Sequence, residues 1–450
     1  MPHGGFDSLF NPSLETISDE FHRRHKLSAA RLRSPPMVSL EALWSQLMER
    51  TDYESCRRPR GLRLDLAGVE RVLAAVGNPH HQAKVLHLAG SKGKGSTAHY
   101  LERGLRAAGW KTGLYTSPHL HHWRERIQVG GRPAPDAAWA RALEPVLAAS
   151  NGSETFFDLL TATALLLFRQ QGCDAWVVEV GLGGRLDSTN VVQPLAAAVT
   201  SIEAEHTEVL GRDLPSIAKE KAGIYKTGAR LWSGLETDHC ARSVLQGKAG
   251  DLGQELQELP GWPEGPTPED AKQAGPLPFM ARNLALAKAM LADLATQPQA
   301  APGWGRAAAC LQTMEPVALQ VPGRFEVRAD SRGRTVIYDV AHTRTSLQQV
   351  ILAYRRLYPK QRRGVVLALR ADKDAEELAA ALGPIPRSEL WYTAPAGDHP
   401  QSADPVALAQ IFGARALPLP VLPPEPEVLL VTGSTYLVGF LRPADPEALS

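Results

Sequence analysis

At 450 residues the chain is too long for one ordinary core, which sets two or three domains as the expectation. An apolar share of 44% and a charged share of 22% fit a globular protein, and a net charge of +1 excludes a broad electrostatic pull toward nucleic acid or anionic membrane. Four scattered cysteines (Cys56, Cys173, Cys240, Cys310) form no CxxC pair, which argues against a disulfide framework or zinc site and for a reducing, cytoplasmic setting.

Residues 1–38 contain no continuous apolar stretch of the secretory kind, and Glu15, Asp19 and Glu20 argue against a transit peptide, so they read as a partly ordered extension. The apolar run AKVLHLAG at 83–90 ends in Gly and reads as a buried strand. A helix is expected from Ser96, with Ala98, Leu101, Leu105 and Ala108 on one stripe, and Gly109 ends it. KTGLYTS at 111–117 reads as the next strand, completing a βαβ unit and implying a parallel sheet. A helix at 156–169 follows; it is too short to span a bilayer. Strands are expected at 174–181 and 195–202 and a helix at 216–225. Residues 230–278, rich in Gly and Pro, read as loops around one or two helices, and 279–295 as a clear helix. The stretch 296–305 reads as a linker or hinge. A second α/β unit then has strands at 335–342, 363–370, 388–395 and 427–434, and helices at 346–358 and 374–382.

The expected fold is therefore α/β. A P-loop-type nucleotide-binding domain with a parallel-rich sheet covers residues 39–300. A linker at 301–316 leads to a smaller Rossmann-like domain at 317–450. Ligands should gather at the carboxyl ends of the strands.

The chemistry concentrates at GSKGKGST, residues 90–97, a Gly-rich turn between strand and helix. Backbone N–H groups and the helix dipole attract phosphate there. Gly90, Gly93 and Gly95 permit close approach, Lys94 supplies a point charge, and Ser96 or Thr97 a hydroxyl. The spacing departs from the common P-loop, in which Ser or Thr follows Lys directly; here Gly95 intervenes. A second cation, Lys92, reads as a solvated extra. Glu179 lies within an apolar strand, where a carboxylate needs a metal or a cation, with Arg185 as the competing partner. Ser117, His206 and Lys221 follow strands or sit on a helix nearby; alone each reads as an ordinary turn, cap or helix residue. HLHH at 119–122 matches no standard metal spacing. These residues support a nucleoside triphosphate–Mg²⁺ site completed by the second domain, without specifying a reaction.

Longer motifs, in order, narrow the reading: LHLAGSKGKGSTAHYLERGLRAAGWKTGLYTSPHL, RERIQVGG, TFFDLLTATAL, WVVEVGLGGRLDSTNVV, HTEVLG, SIAKEKAGI, PGRFEV, YDVAH and VTGSTYLVG. From about Leu62 to Gly439 the chain resembles the folylpolyglutamate synthase and bifunctional dihydrofolate synthase family of Mur ligases, whose loop also places Gly between Lys and Ser. The resemblance implies ATP-dependent attachment of L-glutamate to the carboxylate of a folate or dihydropteroate through an acyl phosphate. It implies that Gly93, Lys94, Gly95 and Ser96 hold the ATP phosphates. It implies Ser117, Glu179 and His206 as Mg²⁺ ligands, two ions in all, and a carbamylated Lys221. Asn283, Arg324 and Asp339 would contact the nucleotide, and His342 and Ser434 the incoming glutamate. A monomer without nucleic-acid or membrane partners is typical of the family.

The chain departs from the family at several points. Thr343 replaces Asn after the YDVAH motif, Glu205 replaces Asp before His206, and the segment before Asn283 has lost a Gln. Residues 230–278 also fit the family poorly. These changes lie near the adenine and glutamate positions more than the phosphates. They keep open a Mur-type ligase with another acceptor or amino acid. A non-catalytic ATP-binding regulator is a third reading, against which the intact Lys94, Glu179, His206 and Lys221 count.

Overall fold

In a computed structural model, the described residues are 39–51, 65–259, 275, 277–298, 301–386, 388–397 and 400–444. The N-terminal extension, Cys56, residues 62–64 and most of 260–276 lie outside them.

The N-terminal unit carries α1 (Leu40–Met48), α2 (Ala67–Ala75), β1 (Val85–Ala89), α3 (Lys94–Ala107), β2 (Thr112–Tyr115), β3 (Ile127–Val129), β4 (Arg132–Pro133), α4 (Asp136–Ala149), α5 (Phe156–Gln170) and β5 (Ala175–Glu179). It continues with β6 (Ala196–Val199), α6 (Thr207–Leu210), α7 (Leu214–Lys221), β7 (Arg230–Ser233), α8 (Arg242–Asp251), β8 (Leu256–Glu258), α9 (Pro278–Thr296) and α10 (Gly303–Thr313). After α11 (Pro316–Leu319), the second unit holds β9 (Glu326–Ala329), β10 (Thr335–Tyr338), α12 (Arg344–Leu357), β11 (Arg363–Leu367) and α13 (Ala375–Leu382). It ends with β12 (Glu389–Thr393), α14 (Pro405–Phe412), β13 (Arg415–Ala416), β14 (Val428–Thr432) and α15 (Thr435–Leu441).

The first sheet has eight strands in the order β4-β3-β2-β5-β1-β6-β7-β8, parallel from β2 to β8. All five residues of β1 and of β5 are buried, as expected for strands covered on both faces. β1 lies between β5 and β6, so its carboxyl end opens where the chain crosses from one side of the sheet to the other. The second sheet has six strands, β13-β12-β11-β14-β10-β9, parallel except for the antiparallel edge strand β9. The expected α/β architecture is thus observed in both halves.

Details differ from the sequence reading. The loop helix begins at Lys94 rather than Ser96, because Gly93 takes the left-handed conformation that starts it. The stretch 230–278 contains strands β7 and β8 as well as α8, extending the parallel sheet. Residues 303–313, within the expected linker, form α10, which buries Trp304, Ala307 and Leu311 in the core shared with α3 and α9. Gly104 on α3 permits this: a Cβ there would lie 2.9 Å from Leu291 and 3.1 Å from the Ala307 carbonyl.

Candidate nucleotide and acyl-transfer site

The phosphate loop leaves β1 at Ala89 and enters α3 at Lys94, and two glycines are fixed in place by contact. Gly93 has φ of 85°, and a Cβ on it would fall 2.4 Å from the Asn283 Oδ1. Only glycine satisfies both demands, and the packing places the Asn283 carboxamide against the loop. A Cβ on Gly90 would sit 2.0 Å from the Thr200 hydroxyl. The loop is strapped to the segment after β6: Lys92 N–H donates to Ser201 Oγ at 2.8 Å, and Thr200 Oγ1 donates to the Lys92 carbonyl at 2.6 Å. Lys94 Nζ donates to the Gly90 carbonyl at 2.9 Å, which keeps the ammonium over its own loop. Ser96 is buried in the first helical turn. The first N–H groups of that turn, at the amino end of α3, and the nearby ammonium offer an anion cradle.

The Glu179 carboxylate, at the end of β5, faces this cradle. Its Oε2 would be 3.3 Å from a Cβ on Gly95, and it accepts the Ser117 N–H at 3.1 Å. Arg185 is not its partner; that guanidinium pairs with Glu220 at 2.9 Å. The carboxylate and the adjacent Ser117 hydroxyl are hard oxygen donors, the kind Mg²⁺ takes. His206 has a left-handed φ of 45°, a half-exposed ring and Glu208 at 3.9 Å, with Glu205 and Lys221 among the charges acting on it. Among the described residues, no group of three or more His, Cys, Asp or Glu side chains is gathered as a metal cage.

Lys221 is almost fully buried, and its Nζ donates to Glu205 Oε1 at 3.0 Å. Burial lowers its pKa to about 8 despite the Glu205 carboxylate, with Lys94 and Lys92 adding to the fall. Burial alone would raise the Glu205 pKa, but Lys221, Lys94 and Lys92 overcome it and hold it at about 2. Glu205, one of the departures from the family pattern, is therefore an anionic hub among three lysines. Lys92 is one of them, 3.9 Å from Glu205 Oε2, and is not simply a solvated extra.

The second domain supplies the opposite wall. Arg324 follows Gly323 in the turn before β9 and lines a cavity together with Gly95 and Glu179. Asp339 is buried just beyond β10; its Oδ2 accepts the Phe325 N–H at 2.7 Å and its Oδ1 the Ala341 N–H at 2.8 Å. Burial raises its pKa to about 6, although those backbone donors and Arg324 pull the other way. Both oxygens are committed to backbone, so Asp339 shapes the turns that carry Arg324 and His342. His342 Nδ1 lies 2.9 Å from the Val340 carbonyl. A carbonyl only accepts, so Nδ1 carries the proton and Nε2 is left as an acceptor. Burial, then the Lys92 ammonium, keeps that ring neutral, with a pKa of about 3. Ser434, buried, caps α15 by accepting the Tyr436 N–H at 3.2 Å. Thr343 bonds Ser346 at 2.8 Å in the first turn of α12, so a small polar residue at this departure serves as a helix cap.

Two further residues escaped the sequence reading. Lys373, after β11, is close enough to depress the pKa values of Lys92, His206 and His342 together, which places a fourth cation at the site. Phe157 lies over Gly181, where a Cβ would be 2.5 Å from its ring, and stacks on Tyr115 at 5.8 Å; its ring is half-buried beside the Glu179 strand end. Phe157 lies inside the TFFDLLTATAL motif and Lys373 is one lysine among many, so the sequence singles out neither; only their placement does. The HLHH histidines diverge: His119 accepts from Arg126, His121 meets Arg442, and His122 caps the turn at Arg124.

Residues 88–230 match the Mur ligase middle domain, and residues 323–427 match the Mur ligase glutamate ligase domain. A probable bifunctional folylpolyglutamate synthase/dihydropteroate synthase of Halobacterium salinarum is 34% identical over 365 residues, 76% of this chain; the chain spans only 43% of that relative's length. The dihydrofolate synthase/folylpolyglutamate synthase of Escherichia coli is 33% identical over 375 residues, covering 81% of this chain and 83% of that one. A solved bifunctional folylpolyglutamate synthase/dihydrofolate synthase with Mn, AMPPNP and L-glutamate bound is 27% identical, with a TM-score of 0.71 over 91% of this chain and 98% of that one.

Proposed function

The chain belongs to the folylpolyglutamate synthase/dihydrofolate synthase family of Mur ligases, and from that membership we propose that it joins L-glutamate to a folate or dihydropteroate carboxylate at the expense of ATP. The observation that carries this reading is the Glu179 carboxylate set against Gly95 at the mouth of the phosphate loop, bonded to the Ser117 backbone.

The acceptor carboxylate attacks the γ-phosphorus of ATP, giving an acyl phosphate and ADP. The amine of glutamate then attacks the acyl carbon, a proton is lost, and the tetrahedral adduct expels phosphate to leave the amide. The loop N–H groups and Lys94 bear the phosphate charge, and Arg324 and Lys373 approach it from the second domain. Neutral His342 offers Nε2 to the nitrogen of the incoming amino acid, and Ser434 lies at the neighbouring strand end. Phe157 offers a flat apolar face to the acceptor ring system. Mg²⁺, held by Ser117 and Glu179, would neutralise charge on the phosphoryl oxygens. A second ion would sit by His206 and a carbamylated Lys221. The pKa of Lys221 near 8 favours that modification, since the free amine adds to CO₂, losing a proton, to give the carbamate. We place the enzyme in the cytoplasm as a monomer acting on small molecules, without nucleic-acid or membrane partners. Among the described residues no helix is long and apolar enough to cross a membrane.

The test offers dihydropteroate and tetrahydrofolate in parallel with ATP, Mg²⁺ and L-glutamate, following phosphate release and product mass. One added glutamate on dihydropteroate identifies the dihydrofolate synthase activity, and a ladder on tetrahydrofolate the polyglutamate synthase activity. No phosphate release with either acceptor sinks the proposal.

A further inference from the structure

The loop that carries Ser117 is shaped by a carboxylate that the chemistry above does not use. Glu125 stands in a single 3₁₀ turn, Trp123–Arg126, and its side chain reaches back along the chain. Its Oε1 accepts the His121 and His122 N–H groups, each at 2.9 Å, and its Oε2 accepts the Leu120 N–H at 2.8 Å. A capped turn needs only the His122 bond, since His122 is the cap residue and Glu125 closes its capping box. The Leu120 and His121 N–H groups lie before the cap, in irregular backbone where no helix or strand would pair them. One carboxylate therefore fixes three successive residues through charge-assisted bonds.

The base on which Glu125 stands is braced on its own domain. Trp123 stacks on Trp44 of α1, with ring centroids 3.9 Å apart and planes 9° apart. Arg124 bonds both oxygens of Asp136, the first residue of α4, at 2.6 and 2.9 Å. The Gln128 carboxamide donates to the Glu125 carbonyl at 3.1 Å. Arg126 is buried; its carbonyl accepts the Thr116 N–H at 3.0 Å, and its Nε donates to His119 Nδ1 at 2.9 Å. The loop is thus hung between two carboxylates. Glu179 holds the Ser117 N–H at one end, and Glu125 holds residues 120–122 at the other. Only Pro118 and His119 separate the two holds, so the backbone set by Glu125 governs where Ser117 stands against Glu179.

We propose that Glu125 is a positioning residue for metal binding: by fixing residues 120–122 it keeps the Ser117 hydroxyl beside the Glu179 carboxylate as a preformed oxygen pair. The inference rests on the ligase reading above, which assigns Mg²⁺ to that pair. In this role Glu125 meets neither the ion nor the nucleotide. It acts through the loop, as groups behind metal ligands do when they orient them.

Glu125→Gln keeps the shape of the side chain and one acceptor oxygen. With that oxygen on the His121 and His122 N–H groups, the amide NH₂ is turned onto the Leu120 N–H, donor against donor. Glu125→Ala removes all three bonds. Mn²⁺ binding to each protein with AMPPNP is followed through the electron paramagnetic resonance of the free ion, and amide exchange is measured on the same samples. The Mn²⁺ Kd should rise about tenfold in Glu125→Ala and by less in Glu125→Gln. Exchange should quicken at Leu120 in Glu125→Gln and at residues 120–122 in Glu125→Ala. A misfolded fraction lowers the stoichiometry and not the affinity, so a purely structural role would leave the Kd unmoved. Equal Kd values in the three proteins overturn the proposal, and so does an absence of Mn²⁺ binding by the unaltered protein. A raised Kd with unchanged exchange at residues 120–122 overturns it as well, because the loop is then not the route. Neither measurement needs an acceptor. If no folate or dihydropteroate is turned over, the ligase reading fails, while the Kd ratio still decides the role of Glu125.

Discussion

On the proposed reading the buried Lys221 amine serves in two states: the ammonium pairs with Glu205, and the free amine would take up CO₂. Replacing Glu205 by Gln removes the carboxylate that favours the ammonium, while Lys92 and Lys94 remain to attract a carbamate. The carbamylated fraction of Glu205→Gln at fixed bicarbonate should therefore exceed that of the unaltered protein, as read by ¹³C NMR with labelled bicarbonate. An equal or smaller fraction contradicts this account. Asp339 gives a second test at this scale. Its native pKa of about 6 lies above its ordinary 3.8, so between those values the folded state keeps a proton that the unfolded chain releases. Raising pH through that window must lower stability. Urea denaturation from pH 4 to 6 should show this fall, and Asp339→Asn should lack it. Lys94→Ala, which removes the charge over the loop, should cut kcat by about 10²–10³-fold without changing the fold, measured by phosphate release alongside circular dichroism.

At the scale of elements, the junction of the phosphate loop with α9 is a packed joint rather than a loose turn. Gly93→Ala forces a Cβ into the left-handed region and into Asn283, at a cost of about 1–3 kcal/mol in stability and loss of nucleotide affinity. Asn283→Ala opens the space, so the double variant should recover part of the stability but not the affinity; strictly additive losses would show that the two residues do not interact. This joint also shows what was legible in the sequence. The loop and α9 were each readable, one from its glycines and the other from its period, but their contact joins residues nearly two hundred positions apart. The β1–α3–β2 unit was legible because hydrophobic runs, glycine and period coincide. Edge strand β9 was not: Glu326, Val327, Arg328 and Ala329 mix charge with apolar residues, and Glu326 points into a buried ion pair. Helix α10 was hidden by the Pro and Gly before it, although its alanines pack closely once placed. Among site residues, many in long motifs were readable, whereas Glu205 and Lys373 acquire meaning only from what they face, and so does Phe157, although it lies within the TFFDLLTATAL motif.

At the scale of the molecule, the two domains meet through the loop that carries Ser117. Gly439 lies against the Leu120 backbone, where a Cβ would fall 2.0 Å from the Leu120 carbonyl oxygen, and Gly323 packs on the Leu120 side chain. Arg442 Nη1 lies 3.0 Å from His121 Nε2, while its Nε and Nη2 bond both oxygens of Glu326 at 2.6 and 2.9 Å. Glu326 Oε2 also accepts the Gly323 N–H at 2.8 Å, immediately before Arg324. A continuous path thus runs from the Ser117 loop through Arg442 and Glu326 to Arg324, the arginine proposed to meet the nucleotide. Its two ends should respond differently. Arg442→Met strands the buried Glu326 carboxylate with Arg328 as its remaining cation and should destabilise the C-terminal domain by about 3–5 kcal/mol. His121→Ala removes the cross-domain contact to Arg442, at a half-buried position, and should leave the melting temperature nearly unchanged. It should instead speed amide exchange at residues 119–122 and lower kcat with little effect on the KM for ATP, because the phosphate loop is held from within its own domain. If His121→Ala lowers the melting temperature as far as Arg442→Met does, the loop is part of the folding core rather than a clasp between the domains.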